Sequence, residues 1–581
     1  MSSPVDLDRV TFIVLREMRR PMLALVGVYA ITIFVMVFIP GPIIDGKTQY
    51  MSIFHAFYFM TYTATTTGFG EIPFAFSDAQ RLWAIVCLYI SVITWFYAIG
   101  SIIRLFQNTF FLRAVAEREF SKKVQRIPGN YFIICGFGTT GSVLARGLSD
   151  AGLAAVIIDE DEERIKALQL RNYRVPMPGL VADAGVPKHL LEAGIQRPNC
   201  KAIVAITNNE ETNLKISALA RFLNKDIQII TQSKSNVFED SLSTLGGDVH
   251  IVDSFKIYAR LLVASIYHPG IYTLNQWLVG DRSANLDDFV YSPKDHWIIC
   301  GYGGMGQEIN RFLSQKGIRT TVIDPKEDPG HLPVDKFIIG RATGKTLYAA
   351  GIQHAKGVLA ATGDDGHNLG ILLNSRSFNP EIFSVIRQNF HQNDVAFDAA
   401  EADMIMQPSL VTARRIMILL KAPLLKPFFK YLMDDSDSRR EQLQQVIELL
   451  KSKIGKSNPR LTTIDFSEEK AKALVSCLNE GREVMLGDLL RDPRNRNQQL
   501  DLVTFIIRSG DYIQPLPSAT YTIKENDQLL ICGTEMAYRL FNSTLNNEYN
   551  LHYVRTGKFK PRSWLLQQYQ NRQKAKVLTQ N

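Results

Sequence analysis

Two stretches of this chain carry glycines at a spacing that suits phosphate binding. Residues 131–141 read Tyr-Phe-Ile-Ile-Cys-Gly-Phe-Gly-Thr-Thr-Gly, and residues 296–306 read His-Trp-Ile-Ile-Cys-Gly-Tyr-Gly-Gly-Met-Gly. Six of the eleven positions are identical, at an offset of 165 residues (296 minus 131). Each stretch is an apolar strand that breaks into G-x-G-x-x-G and runs on into a helical segment, 142–151 or 307–316. Glycines let the backbone approach a phosphate, and a helix N-terminus attracts its charge. A second strand then ends on Asp159 or Asp324, each 18 residues after the third glycine (159 minus 141, 324 minus 306). An acid there accepts hydrogen bonds from ribose hydroxyls and disfavours a 2′-phosphate. The chemistry expected is binding of NAD or another adenine nucleotide through Gly136, Gly138, Gly141 and Asp159, and through Gly301, Gly303, Gly306 and Asp324. The alternative is a folded module that takes no ligand.

A third run, Thr65-Thr66-Thr67-Gly68-Phe69-Gly70-Glu71, lies near the N-terminus. Taken alone, its G-F-G is a glycine turn. The elements around it change that reading. Residues 22–39 and 82–103 contain no charge across 18 and 22 positions. Each can cross a hydrocarbon core of ~30 Å at about 1.5 Å per residue. The apolar stretch 51–65 between them is too short to span, and reads as a re-entrant helix. The alternative is a pair of buried core helices. The flanks follow the membrane charge rule. Arg9, Arg16, Arg19, Arg20, Arg104, Arg113, Arg118, Lys122, Lys123 and Arg126 lie on one side, against Lys47 and Arg81 on the other. Both termini are therefore expected in the cytoplasm.

The remaining bounds are broad. A chain of 581 residues makes about four domain-sized units. Its 46% apolar and 21% charged residues exclude global disorder. Its mean hydropathy of -0.03 excludes a chain that is mostly membrane helix. The net charge of +8 is a mild excess, and no groove-reading motif accompanies it, so no nucleic-acid partner is expected. The six cysteines form no CxxC pair, and most sit in apolar runs, as buried reduced thiols do.

The run at 66–71 resembles the selectivity filter of potassium channels, T-x-G-[YF]-G-[DE]. That resemblance implies that the carbonyls of Thr66, Thr67, Gly68 and Phe69, with the Thr66 hydroxyl, replace the hydration shell of K⁺. Gly68 and Gly70 supply the backbone angles, and Glu71 stands at the outer mouth. Phe69 replaces the commoner Tyr and Thr67 the commoner Val, which should alter the hydrogen-bonded cuff behind the filter more than the carbonyl ligands. Four copies about an axis would close the ring, making a homotetramer in a lipid bilayer. Gly100 in the second span is the gate candidate, with close packing as the alternative. His55 is read as a packing residue.

The two glycine-motif units resemble RCK domains of the TrkA-N type. In that family an Asp follows the third strand and a Thr or Ser follows the fourth. Asp183 and Thr207 match, so the first nucleotide site is Gly136, Phe137, Gly138, Thr139, Thr140, Gly141, Asp159, Asp183 and Thr207. The second is Gly301, Gly303, Gly306, Asp324, Arg341 and Thr362. Arg341 reverses the family's charge, which points to a more phosphate-rich ligand or to no ligand. The region around 461–541 is similar to the C-terminal lobe that accompanies RCK domains.

The fold class expected is a membrane α-helical pore domain, with two spans and a re-entrant pore helix, followed by α/β Rossmann-type RCK domains and a small α+β lobe. The expected bounds are N-terminus 1–21, pore domain 22–106, linker 107–129, first RCK unit 130–290, second 291–430, lobe 431–545 and basic tail 546–581. The resemblance as a whole implies a prokaryotic plasma-membrane K⁺ channel with tandem RCK units, gated by a nucleotide and not an enzyme. The acidic runs 159–163 and 434–437 leave Ca²⁺ regulation open beside the reading as solvated helix starts. The alternatives are a sodium or nonselective cation channel, a ligand-binding transporter subunit, and a membrane-anchored NAD-dependent oxidoreductase.

Overall fold

The computed structural model describes residues 4–234, 236–280, 284–326, 334–432, 437–455 and 459–559. They form two compact units, one of residues 1–130, 156–169 and 178–199, the other of 131–155, 170–177 and 200–581.

In the first unit, two helices are long and apolar enough to cross a membrane, Val14–Phe38 within the helix Pro4–Phe38, and Asp78–Gln107. The first helix extends ahead of the charge-free run that starts at residue 22. It continues through Pro21 and the basic residues before it, because backbone hydrogen bonding does not stop where the side chains become charged. Between the two lies the short helix Ile53–Ala64, capped by Ser52. Met36, Met51, Phe59, Met60, Tyr62, Phe76 and Cys87 form the core that holds the three together. Ser77 and Gln80 make a capping box at the start of the second long helix, and Arg104 lies in its last turn, where the helix dipole favours a cation.

The stretch expected as a linker is itself helical, Thr109–Gln125, with Asn108 as its N-cap. Phe120 and Val124 are buried. Arg197 Nη1 donates to the Val124 carbonyl at 2.6 Å, satisfying an open acceptor at the helix end. Also in this unit, the strand Ala154–Asp159 pairs in parallel with Gly179–Val181, and the short helix Pro187–Glu192 follows.

In the second unit, the strands Tyr131–Cys135, Cys200–Ala205, Gln228–Gln232 and Val249–Val252 run parallel in that order. The second repeat is complete here. Its six parallel strands lie in the order Lys336–Ile339, Thr320–Asp324, Trp297–Cys300, Gly357–Ala360, Phe383–Arg387, Met404–Met406. That is the doubly wound order, with the order reversing at the glycine-motif strand. The glycine-motif strands are fully buried, so their apolar runs are continuous rather than alternating.

The terminal helix of each repeat covers the glycine-motif helix of the other. Ser254–Tyr267 shares a core with Gly304–Gln315 through Phe255, Ala259, Leu262, Met305 and Ile309. In turn Met417, on Pro408–Lys421, lies against Gly147 on Thr139–Asp150. Beyond them is a four-stranded antiparallel sheet, Arg460–Asp465, Gln528–Gly533, Leu502–Ser509 and Tyr512–Pro515 in that order.

Two expected bounds need correction. The helix Leu425–Leu432 runs across position 430, and its Phe428 and Leu432 share a core with Phe505 and Leu530 of that sheet. At the other end, the helix Glu548–Thr556 was expected in the basic tail but buries Leu551 and Val554 beside Phe541. Two apolar residues three apart suffice to dock a short helix, even in polar sequence. The tail from 560 and the acidic positions 434–436 lie outside the described residues.

Candidate functional site

The helix Ile53–Ala64 delivers the chain to the threonine-glycine run. Its last turn is closed by Thr65 N–H to the Thr61 carbonyl and Thr67 N–H to the Tyr62 carbonyl, at 3.1 and 2.9 Å. The backbone then alternates. Thr66, Gly68 and Gly70 have φ of +58, +68 and +93°, with Thr67 and Phe69 outside the positive region. A left-handed residue at every second position is a backbone pattern that can turn successive carbonyls the same way. A Cβ on Gly68 or Gly70 would meet no atom within 4 Å, so backbone conformation and not space demands glycine there. Thr66 adopts the same conformation without being glycine, at a cost of about 1–3 kcal/mol. Its hydroxyl donates to the Thr65 carbonyl at 2.7 Å.

Behind the run, aromatic side chains brace it. The Phe69 ring stacks on Tyr58 at 6.2 Å and meets Tyr62 edge-on at 5.7 Å. The Tyr62 hydroxyl donates to the Gly70 carbonyl. Phe69 brings no hydroxyl, and Tyr62 supplies one from the helix. Sequence reading missed Tyr58 and Tyr62, although their spacing of four places them on one helix face. Glu71 is held by Arg81 Nε at 2.9 Å and by the Phe76 N–H at 2.7 Å. These donors, Arg81 first, keep its carboxyl below the usual carboxylate range. His55 Nδ1 meets the Ser52 hydroxyl at 2.8 Å, at the start of the helix and away from the glycine run. A Cβ on Gly100 would touch no atom of this chain within 4 Å.

The glycine loop of the first repeat is built by close approach. Gly136 has φ +106°, and a Cβ on it would lie 2.8 Å from the Ile206 carbonyl oxygen. One on Gly141 would overlap the Gly136 carbonyl. Gly138 caps the helix Thr139–Asp150 without a side-chain hydrogen bond, so the first N–H groups, those of Thr139, Thr140 and Gly141, are available to an anion. Phe137 is buried. Arg171, which sequence reading missed, lies 5.7 Å from its ring and hydrogen-bonds Ser142 in the first turn of that helix. Thr207 donates through both its N–H and its hydroxyl to Asn213 Oδ1, at 2.9 and 2.8 Å. The two acids expected at this site belong to the other unit. Asp159 accepts from the Asp161 N–H at 2.8 Å and from Arg164 at 3.4 Å, and Asp183 from the Gly185 N–H at 2.6 Å.

In the second repeat the strand ends bring Gly301, Asp324 and Thr362 together along one edge of the sheet. Gly301 has φ +98°, Gly306 again abuts the Gly301 carbonyl, and Gly303 again leaves its helix uncapped by any side chain. Thr362 repeats the Thr207 pattern on Asn368. Asp324 differs. Its Oδ2 accepts from the Tyr302 N–H at 2.7 Å and its Oδ1 from the Lys326 N–H at 2.9 Å. Both oxygens are spent on the backbone around the loop. Arg341 is exposed after the edge strand, and its carbonyl accepts from the Thr346 hydroxyl.

The ion channel family matches residues 22–108, and the TrkA-N domain family matches twice, over 132–253 and 297–408. A Trk system potassium uptake protein TrkA homolog of Pyrococcus horikoshii is 34% identical over 197 residues, which is 30% of this chain and 82% of that protein. Potassium channel protein 1 of Methanocaldococcus jannaschii is 25% identical over 219 residues, 38% of this chain and 64% of that one. The chain spans 30% of another curated relative's length. A solved structure of a GsuK channel bound to NAD is 17% identical, with a TM-score of 0.46 over 92% of this chain and 99% of that one.

Proposed function

Because the chain belongs to the TrkA-N family and carries an ion-channel domain ahead of two TrkA-N domains, we propose that it is a ligand-gated potassium channel. The observation that carries this reading is the alternation of positive φ at Thr66, Gly68 and Gly70, between two helices of membrane length. Carbonyls of Thr66, Thr67, Gly68 and Phe69 turned to one side are what a dehydrated K⁺ needs. One chain supplies one strand of oxygens, so four copies close the ring. The exposed apolar residues of both spans, among them Leu82, Ile93 and Phe96, face lipid or neighbouring copies. The excess of basic residues on one side of the spans, ten against two, supports cytoplasmic termini.

The repeats act as the ligand-sensing ring. The first binds NAD or another adenine nucleotide, with phosphates on the N–H groups of Thr139–Gly141 and with Arg171 and Thr207 in the same unit. In the second, Arg341 reverses the charge of Asp183 and favours a more phosphate-rich ligand or none. Pore domain, linker, two RCK units and lobe follow one another in the chain, the lobe reaching residue 556. Nucleotide binding here regulates conduction and carries no redox reaction.

The test is reconstitution of the full chain in planar bilayers, with K⁺ on one side and Na⁺ on the other. A reversal potential near the K⁺ equilibrium value, with open probability that responds to NAD or ADP, is expected. Equal permeability to the two ions makes it a nonselective channel. Conversion of NAD to NADH with no current makes it an oxidoreductase.

A further inference from the structure

The linker helix Thr109–Gln125 presents Glu117 to the short helix Pro187–Glu192. One carboxylate oxygen of Glu117, one ring nitrogen of His189 and one carboxylate oxygen of Glu192 lie within 4.8 Å of one another. His189 and Glu192 are three residues apart and so share a helix face. None of the three belongs to the glycine loops or to the filter run.

Two further observations point to a metal ion. The His189 ring is preset. Its Nδ1 donates to the Asp183 carbonyl oxygen at 2.7 Å, which fixes the proton on Nδ1 and leaves the Nε2 lone pair toward Glu117 Oε1, 3.9 Å away. Metal-binding imidazoles are held in this way, with the outer nitrogen tied to a carbonyl or carboxylate. Glu192, in addition, has a side chain only 10% exposed. Its Oε2 is sealed from solvent and has no hydrogen-bond partner among the described residues. An unsatisfied buried carboxylate oxygen is costly, and a cation removes the cost. Burial, and then the nearby Glu117 charge, push the Glu192 carboxyl up. The Lys188 ammonium lies against Glu117 and 3.3 Å from Glu192 Oε1, so a positive charge already occupies part of the cluster. One ammonium between two carboxylates leaves a net negative charge.

We propose that Glu117, His189 and Glu192 bind a divalent transition-metal ion of the Zn²⁺ class, which displaces the Lys188 ammonium and ties the linker helix to the helix Pro187–Glu192. One imidazole and two carboxylates suit Zn²⁺ or Co²⁺, whereas Ca²⁺ and Mg²⁺ favour all-oxygen sets. Three protein ligands leave a fourth tetrahedral position for water. The site stands or falls independently of ion conduction.

The test uses the full chain in detergent, stripped with a chelator and dialysed against buffered free Zn²⁺, with bound metal measured by mass spectrometry. Wild type should hold about one Zn²⁺ per chain. His189→Gln and Glu192→Gln should each lower affinity at least about tenfold, by comparison with second-shell losses of that size. Lys188→Met should raise affinity, because the competing ammonium is gone. A cluster that is only an ion-pair network behaves otherwise. The proposal is overturned if wild type and Lys188→Met bind no more Zn²⁺ than the His189→Gln/Glu192→Gln double variant. It is equally overturned if Lys188→Met binds more weakly than wild type while unfolding at the same temperature.

Discussion

The ring of Phe255 lies against Gly304, close enough that a Cβ there would stand 3.1 Å from two ring carbons. Phe255 opens the terminal helix of the first repeat, and Gly304 is the first residue of the glycine-motif helix of the second. Met417 and Gly147 make the reciprocal contact, with the sulfur 3.6 Å from a Cβ built on Gly147. Each phosphate-loop helix is thus backed by the other repeat.

Phe255 is buried and flanked by Lys234 and Arg387, each 5.2 Å from its ring centre. Phe255→Ala should cost about 3–5 kcal/mol, the usual loss for a buried ring. Thermal unfolding of the full chain should show the repeats melting earlier. An unchanged melting temperature would mean that the helix repacks without the ring.

In the filter run, Gly68→Ala forces a Cβ into a left-handed backbone, at about 1–2 kcal/mol in each chain. In the proposed tetramer, four such costs should abolish K⁺-selective current. Tyr62→Phe is subtler. It removes the hydroxyl that donates to the Gly70 carbonyl, a bond worth about 1 kcal/mol. Bi-ionic reversal potentials should show raised Na⁺ permeability in Tyr62→Phe and no selective conductance in Gly68→Ala.

Arg81, followed by the Phe76 N–H, holds the Glu71 carboxyl below its ordinary value. A lowered carboxylate keeps its ion pair at every pH above the ordinary range and loses it only as pH falls through the lowered value. Conductance should therefore be insensitive to external pH near neutrality and should change only under strong acidification. Arg81→Gln should move that transition upward. A transition at the same pH in wild type and Arg81→Gln would show that Glu71 does not set it.

For nucleotide binding, Gly141→Ala should be the most damaging change in the first repeat, because its Cβ would overlap the Gly136 carbonyl. Asp159→Ala should cost about 1–3 kcal/mol if it serves the ribose. Arg171→Ala should weaken ADP more than adenosine, since a guanidinium beside the helix N-terminus acts on phosphate. Calorimetry with NAD, ADP and adenosine separates the three roles. Equal losses for ADP and adenosine in Arg171→Ala would rule out a phosphate contact.

The helix Thr109–Gln125 is the covalent path from the second span to the strand Tyr131–Cys135. A tenfold difference in ligand affinity between open and closed states supplies about 1.4 kcal/mol per site. Inserting a Gly-Ser stretch after Arg113 should leave ligand affinity and selectivity intact while flattening the response of open probability to ligand. Unaltered ligand gating in bilayers would show that the force travels another way.

The sequence alone determined what depends on neighbours along the chain. Charge-free runs are long enough to span, a short apolar run precedes T-T-G-F-G, and two strands break into the same glycine spacing. Each signal is local, because helix length, strand polarity and φ preference are set within a few residues. The tertiary structure decided which distant residues meet. Nothing in the sequence near Gly70 announces that Tyr62 would reach its carbonyl, or that Asp324 would spend its oxygens on Tyr302 and Lys326. That Phe255 backs Gly304, and that Glu117 meets His189 and Glu192, depends on how helices far apart in sequence pack. The helix that extends ahead of residue 22 and the helix docked after residue 545 lay outside that local reading for a related reason. Composition changes there, but the backbone of Pro4–Phe38 and the buried Leu551 and Val554 answer to hydrogen bonding and packing.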